Sequence, residues 1–302
     1  MMLKGIDISN WQSGLKLRPL GLDFVLAKAS ESVSFRDPTF GDFMNQADNA
    51  GMLTGAYHFA TTNPVNEATY FYTCVKNRVG KSVFALDLET TQVKDWGAYV
   101  DAFTKEFHRL SGIYPLIYTS AGFLNQYNGH ECVKNCALWL AGYPRAAVTW
   151  NDGVIPYSTL PWAKAAIWQF TGQGRLNGYK GNLDLDWCYI TRDEWQKLAQ
   201  GEKLASNGKS IDDLAREVIA GKWSSGKERK NKLTAAGYDY AAVQKRVNAL
   251  LAADKAKSNY QIAKEVIAGK WGAGSDRKHR LQLAGYDYNA VQKIVNELMK
   301  SY

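Results

Sequence analysis

Two carboxylates two residues apart, at the end of an apolar run, are the strongest chemical signal in the sequence. In Val83-Phe84-Ala85-Leu86-Asp87-Leu88-Glu89 the period of two puts Phe84, Leu86 and Leu88 on one face of a strand and Ala85, Asp87 and Glu89 on the other. Asp7 is opposed in the same way to Ile6 and Ile8, and Asp184 and Asp186 alternate with Leu183, Leu185 and Trp187. Three strands therefore aim acids at one side. Carboxyls crowded together raise one another's pKa, so that one stays protonated beside another that ionises. A protonated acid and a nearby anion are what glycosidic bond cleavage needs: the first protonates the leaving oxygen and the second supports the cationic sugar. Any one of these acids is equally well read as a strand-end cap or a salt-bridging group, but the Asp87-x-Glu89 pair together with two further strand-end acids is not.

The elements that must hold such acids are visible as about eight short apolar runs: Gly5–Ser9, Phe24–Ser30, Gly55–Ala60, Val83–Glu89, Leu116–Ser120, Leu138–Tyr143, Ala166–Phe170 and Leu183–Tyr189. Eight strands close a parallel barrel, and such barrels carry their active groups at the C-terminal strand ends. Helical stretches at Thr39–Ala50, Glu67–Val79 and Trp96–Leu110 are each followed by a glycine (Gly51, Gly80, Gly112). Past Tyr118 the helical segments shorten, and Pro144, Pro156 and Pro161 occupy the span before Ala166. The expectation is an α/β chain: an irregular, TIM-like β/α barrel that lacks helices in its second half.

Eight of the ten tryptophans precede residue 200, and Tyr57, Tyr118, Trp139, Tyr143 and Trp168 fall near strand ends, where flat aromatic faces suit sugar rings. Gln169 is placed to donate into the barrel mouth, whereas His58, alternating with Tyr57, points away from it and reads as a core histidine. With histidines only at 58, 108, 130 and 279, and with Cys132-x3-Cys136 lacking a second pair, no metal centre is expected. The four cysteines read as free thiols, and neither a signal core nor an 18-residue apolar span is evident.

Charge divides the chain. Residues 1–200 hold 18 basic and 18 acidic side chains and residues 201–302 hold 19 and 11, so the net +8 belongs to the last third. No basic-aromatic motif accompanies that charge, which leaves nucleic-acid binding unsupported. The last third also repeats itself at an offset of 48 residues: Glu217-Val218-Ile219-Ala220-Gly221-Lys222-Trp223 returns from Glu265 to Trp271, and Ala236-Gly237-Tyr238-Asp239-Tyr240 from Ala284 to Tyr288. Each copy reads as three short helices. In the first, Ser210 with Asp213 forms a capping box and Asp239 caps the third helix. Trp223 and Trp271 serve equally as core plugs or ligand platforms, and Arg229 and Arg277 lie in basic clusters able to meet an acidic partner. The expected layout is a catalytic barrel over 1–200, a polar linker over 201–209, and three-helix repeats over 210–253 and 258–300.

Taken in order, Gly5-Ile6-Asp7-Ile8-Ser9-x-Trp11-Gln12, Gly55-Ala56-Tyr57-His58-Phe59, Leu86-Asp87-Leu88-Glu89, Ile117-Tyr118-Thr119, Leu138-Trp139-Leu140-Ala141, Trp168-Gln169-Phe170 and Leu183-Asp184-Leu185-Asp186 resemble the pattern of family 25 glycoside hydrolases, over about residues 3–195. The resemblance implies an N-acetylmuramidase-type lysozyme that cleaves the β-1,4 bond between N-acetylmuramic acid and N-acetylglucosamine without a cofactor. It implies Glu89 as the acid, Asp87 beside it as orienting or stabilising group, and Asp7 and Asp184 as the other acids, with Asp186 standing where the family usually has asparagine. Tyr57, Tyr118, Trp139 and Gln169 are the expected substrate contacts. The last hundred residues resemble cell-wall-binding repeats of phage lysins. That resemblance implies a bacterial peptidoglycan partner, synthesis in the host cytoplasm and action on the wall after release. Two other readings remain open: a glucosaminidase or chitinase-like barrel, and a non-catalytic wall-binding protein.

Overall fold

Each of the eight apolar runs becomes a strand. The computed structural model describes residues 2–90, 92–144, 147–202, 209 and 211–300, with backbone alone at 235 and 253–258. In chain order the first part comprises β1 (Leu3–Ile8), β2 (Phe24–Glu31), β3 (Phe35–Arg36), α1 (Phe40–Ala50), β4 (Leu53–Phe59), α2 (Pro64–Val75), β5 (Val83–Asp87), α3 (Trp96–Ser111), β6 (Leu116–Ser120), a one-turn α4 (Cys132–Asn135), β7 (Leu138–Ala141), β8 (Ala165–Gly174), β9 (Leu183–Cys188) and α5 (Arg192–Ala199). The sheet runs β1-β9-β8-β7-β6-β5-β4-β2, and a β1–β2 pairing closes it, with the two-residue β3 hanging on the edge of β2.

The closure is mixed, where the strand count alone suggests a parallel barrel. β1, β2 and β4 to β8 run parallel to one another, but β9 runs antiparallel to both β8 and β1, as the short β3 does to β2. The cause is the connection. Only residues 175–182 separate β8 from β9, too few for the dozen-residue crossover that a parallel return requires.

The helices form where sequence and caps agree. In α1 the buried Phe40, Phe43, Met44 and Ala47 follow helical spacing, and Gly51 ends the helix at φ 68°. The Asp95 side chain accepts from the Ala98 amide to start α3, which buries Val100, Phe103 and Phe107 and stops at Gly112, φ 76°. These helices cover the outer face of the barrel, where Phe84, Leu86 and Leu88 join Phe71, Phe103 and Phe107. Tyr57, Ala85, Tyr118, Trp139 and Ile167 fill the interior. At the N-terminal strand ends Trp195 of α5 lies against Phe24, ring centroids 5.1 Å apart, and its indole donates to the Thr54 carbonyl at 3.2 Å. That end is plugged, so the opposite end is left as the mouth. The four cysteines are buried, and none is in a disulfide bond.

The remainder comprises α6 (Ile211–Ile219), α7 (Gly226–Ala235), α8 (Tyr240–Ile267), α9 (Gly274–Leu283) and α10 (Tyr288–Met299). Of the expected linker, 203–208 lie outside the described residues, as does Ser210 of the capping box. The third helix of the first repeat and the first helix of the second are one helix, α8. Residues 252–259, Ala-Ala-Asp-Lys-Ala-Lys-Ser-Asn, contain neither glycine nor proline to break it.

By compactness the chain divides into Met1–Val243 and Gln244–Tyr302. The first unit holds the barrel and the opening of the repeat region, joined where the Ala165 amide donates to the Gly237 carbonyl at 3.3 Å beside a Lys164–Tyr238 bridge. The second has its own core of Ile262, Ala263, Val266, Leu281, Val291 and Val295. No helix among the described residues is long and apolar enough to cross a membrane.

Candidate active site

Strand direction decides which acids reach the mouth. Asp7 lies near the C-terminal end of β1 and Asp87 ends β5, while Glu89 follows two residues beyond. Because β9 is antiparallel, its first residues, not its last, come to the same rim: Asp184 pairs directly with Asp7 across the sheet, and Asp186 pairs with Gly5 one step deeper. Asp184 therefore lines the opening, and Asp186 is wholly buried beneath it, accepting from the Trp139 indole at 2.8 Å.

Asp7, Asp87, Glu89 and Asp184 surround one cavity of about 340 Å3, together with Tyr57, Tyr118, Trp139 and Gln169. The eight barrel residues singled out from sequence thus converge. Gln169 is the hub of the polar network: its amide nitrogen donates to Asp7 Oδ2 at 2.7 Å, and its oxygen accepts from the hydroxyls of Tyr118, at 2.8 Å, and Tyr143. Its tether to Asp7 spans β1 and β8. Trp139 is almost entirely buried and forms the floor, its ring 4.6 Å from Tyr118 and 6.1 Å from Tyr57. Trp168 faces the other way, into the outer layer beside Phe170, and donates to the Gly142 carbonyl. His58 is buried on that outer side between Ser30 and Glu67, at 2.9 and 3.1 Å.

Trp11, Lys28 and Tyr143 line the cavity as well, beside Ile8, Ser9, Gln12 and Phe59. Trp11 stands 85% exposed on a short turn capped by Ser9, Lys28 is paired with Glu31 at 2.6 Å, and Tyr143 reaches over from the end of β7. A tryptophan four residues after the strand-end acid Asp7 was the available signal for Trp11. Nothing local marks Lys28, whose place follows from β2 lying between β1 and β4.

Burial governs the electrostatics. It raises Asp7 well above the usual carboxylate range, with Asp184 and Asp186 adding to the effect. It likewise raises Asp87, with Glu89 adding, and raises Asp186. Glu89 lies at the open rim, yet the surrounding walls strip enough water from its carboxyl to raise it too. Asp184 is pushed up to about 6 by burial and by Glu89. Asp87 Oδ1 and Asp186 Oδ2 are buried without a hydrogen-bond partner among the described residues, an arrangement that penalises the anion and favours the acid. The site therefore carries protons at a pH where free carboxyls have lost theirs.

In the repeats, the Trp223 and Trp271 indoles donate to Glu217 and Glu265 at 3.0 and 2.9 Å and meet Tyr238 and Tyr286 edge-on. Arg229 clamps the Ser224 carbonyl and Arg277 the Gly272 carbonyl, each across a left-handed turn. The four residues expected at the wall thus also build one repeated internal construction. In the second repeat, Trp271 borders an open depression of about 570 Å3 with Glu265, Lys270, Arg280 and the 75% exposed Leu283.

An eight-stranded β/α barrel plugged at one end and carboxyl-lined at the other defines the class. The chain belongs to glycosyl hydrolases family 25, whose family model matches residues 6–179, and it carries two CW_7 repeats at 212–251 and 260–299. It is 30% identical over 259 residues to the lysozyme of Streptococcus phage Cp-7, covering 81% of this chain and 69% of that protein. The autolytic lysozyme of Clostridium acetobutylicum and lysozyme M1 of Streptomyces globisporus are each 27% identical, over 61% and 60% of this chain. The chain spans 55% and 66% of the lengths of these two relatives. A family GH25 lysozyme structure from Aspergillus fumigatus matches with a TM-score of 0.54 at 26% identity, covering 67% of this chain and all of that one.

Proposed function

We propose that the protein hydrolyses bacterial peptidoglycan at the β-1,4 bond from N-acetylmuramic acid to N-acetylglucosamine, with the two repeats holding it on the wall. The observation that carries the reading is the set of four carboxyls around one aromatic-walled cavity, all raised by burial. Glu89 is the proton donor. It is the most exposed of the four, so solvent can reload it after each turnover, while Asp87 beside it is buried and couples to its charge. As the glycosidic C1–O bond breaks, the proton of Glu89 goes to the leaving oxygen; water supplies hydroxyl to C1 and returns a proton to Glu89. Asp184 and Asp7 face the sugar as cationic character develops, and Gln169 and the tyrosines it holds fix the geometry of the acids.

Named relatives that are lysozymes, one of them from a phage, support the wall as the place of action, reached by release from a host cell. The decisive experiment digests purified peptidoglycan and identifies the new reducing sugar. Muramic acid is expected; glucosamine in its place overturns the bond assignment in favour of a glucosaminidase. Glu89→Gln, which keeps shape and removes the proton, is expected to slow release of reducing ends by roughly 100- to 10,000-fold. Digestion at the parent rate would exclude Glu89 as the acid.

A further inference from the structure

A serine, a histidine and a glutamate lie in hydrogen-bonded sequence on the outer side of the barrel: Ser30 Oγ is 2.9 Å from His58 Nδ1, and His58 Nε2 is 3.1 Å from Glu67 Oε2. The order is that of a nucleophilic hydrolase, yet all three residues are fully buried, so no substrate reaches the hydroxyl. The His58 ring sits 5.4 Å from those of Phe71 and Phe103, in an apolar shell where water cannot replace a lost hydrogen bond.

Burial lowers His58 and keeps it neutral. Burial also opposes the charge of Glu67, but the bonds from His58, Asn63 and Thr61 outweigh it and lower that carboxyl to about 2. Glu67 is therefore an anion that only accepts, so His58 donates to it through Nε2 and accepts from Ser30 through Nδ1. Glu67 Oε2 also accepts from the Thr61 amide at 2.8 Å, and Oε1 from the Thr61 hydroxyl at 2.7 Å, the Thr62 amide at 2.8 Å and the Asn63 amide at 2.7 Å. One buried carboxylate thus fixes the whole turn from β4 to α2 and, through His58, ties it to β2.

That turn adjoins the acids. Phe59, the last residue of β4, lines the acid cavity, and the next residue, Ala60, donates its amide to the Asp87 carbonyl at 2.8 Å. Because Asp87 Oδ1 has no hydrogen-bond partner among the described residues, the Asp87 carboxyl is placed chiefly by its main chain. We propose that Glu67 is a positioning residue for Asp87: by fixing residues 61–63 it holds the end of β4 against the end of β5 and so keeps the Asp87 carboxyl beside Glu89. The assignment rests on Glu89 being the acid of the reaction, as read above.

Glutamine at 67 cannot do the same. Whichever way its amide turns, an NH2 group faces donors: the Thr61 amide and His58 on one side, or the Thr61 hydroxyl and the amides of 62 and 63 on the other. The turn loosens, and a displacement of about 1 Å at a reacting group costs up to roughly 100-fold in rate. Asp87 and Glu89 also ionise as a pair, in two steps held apart by their repulsion, so moving Asp87 away draws the steps together. Asp7, Lys28, Glu31, Tyr57, Tyr118, Tyr143 and Asp184 face the same pair and are identical in parent and variant.

The test follows hydrolysis of soluble peptidoglycan fragments by the full chain across pH, for the parent, Glu67→Gln and Ser30→Ala. Asp48→Asn serves as control, weakening the Arg78 ion pair at the plugged end. Glu67→Gln is expected to lower kcat about tenfold, leave KM within about twofold, and narrow the bell-shaped pH profile of kcat. Ser30→Ala, which frees the far end of the chain of bonds, is expected to act in the same direction by about threefold, and it carries the comparison if Glu67→Gln fails to fold. Asp48→Asn is expected to lower the melting temperature with kcat and profile unchanged. For the variant that carries the comparison, an unchanged kcat, or a slower rate with a profile of the parent's width, overturns the positioning role and leaves the muramidase reading intact. Digestion by Glu89→Gln at the parent rate is a separate outcome, which overturns the acid assignment on which the role rests.

Discussion

Acids at the barrel mouth and two acids of the first repeat meet opposite fates. Asp7, Asp87, Glu89, Asp184 and Asp186 are all raised, because the barrel mouth buries them together and supplies few cations. Glu217 and Glu228 are lowered, by Lys209 and Lys232 respectively, which hydrogen-bond to them on an accessible surface. The balanced charge of residues 1–200 therefore conceals a local concentration of acid, while in the basic last third lysine partners hold Glu217 and Glu228 ionised. Chemistry in this molecule is obtained at the expense of barrel stability. A carboxyl kept ready to hold a proton is one the fold would be more stable without.

The largest consequence concerns Asp184. A carboxyl that ionises near 6 when folded and near 4 when unfolded costs the fold up to about 3 kcal/mol at pH 7. Below about pH 4 both states hold the proton and the cost vanishes; as the pH rises through 6 the folded group must ionise and stability is lost. Asp184→Asn is therefore expected to raise the melting temperature of the barrel at pH 7.5, by several degrees, and to leave it unchanged at pH 4, while slowing hydrolysis. Other titrating groups, His58 included, are common to parent and variant, so the difference between their melting curves isolates Asp184. A variant less stable than the parent at pH 7.5 would break the contrast between the two regions.

The strands of the barrel were legible because each apolar run ends in small or polar residues, and α1 and α3 because a glycine in the left-handed region caps each; α2 begins at Pro64 and ends at Val75, short of the expected stop at Gly80. The direction of β9 was not, since it depends on how few residues connect it to β8, and a barrel motif read strand by strand carries no such information. For the same reason alternation put Asp184 and Asp186 on one face without ranking their depth; only the antiparallel register with β1 does that. Acid positions are thus a local property and their exposure a topological one. Lys28 reaches the mouth through long-range pairing, which no local spacing announces, whereas Tyr143 was marked by its place just past a strand end. In the repeats the 48-residue period suggested a break between copies, but α8 runs through it, because helix propensity over 252–259 is set by residue type and not by the repeat.

Where the two regions meet, a pair of equivalent glycines gives a finer probe. Gly237 and Gly285 occupy the same place in the two repeats, at φ 76° and 79°. Alanine at either incurs the left-handed backbone penalty of roughly 1–2 kcal/mol. A Cβ on Gly285 meets nothing within 4 Å, whereas one on Gly237 would lie 2.9 Å from the Ala165 carbonyl oxygen at the start of β8. Gly237→Ala should therefore be the more destabilising by about 1 kcal/mol, and calorimetry should show it moving the transition that contains the barrel. Equal shifts from the two variants would mean that the first repeat is not seated on the barrel.

The smallest effect has the opposite sign to that of Asp184. Glu217 is lowered first by Lys209, whose ammonium lies 2.6 and 2.8 Å from its oxygens, and then by the Trp223 indole. A lowered carboxyl adds stability above its unfolded pKa, near 4, and loses it as the pH falls through the folded value. Glu217→Gln should accordingly lower the melting temperature slightly at pH 7, with the deficit closing as the pH falls toward 3. Salt should narrow it at pH 7, because the Lys209 pair is open to solvent and its attraction is screened. Asp184→Asn should keep its gain under the same salt, since its penalty arises mainly from lost water and not from a long-range field. A series of melting curves in which pH and salt are varied together separates the two regions by sign and by screening; parallel behaviour of the two variants would show that one electrostatic environment serves the whole chain.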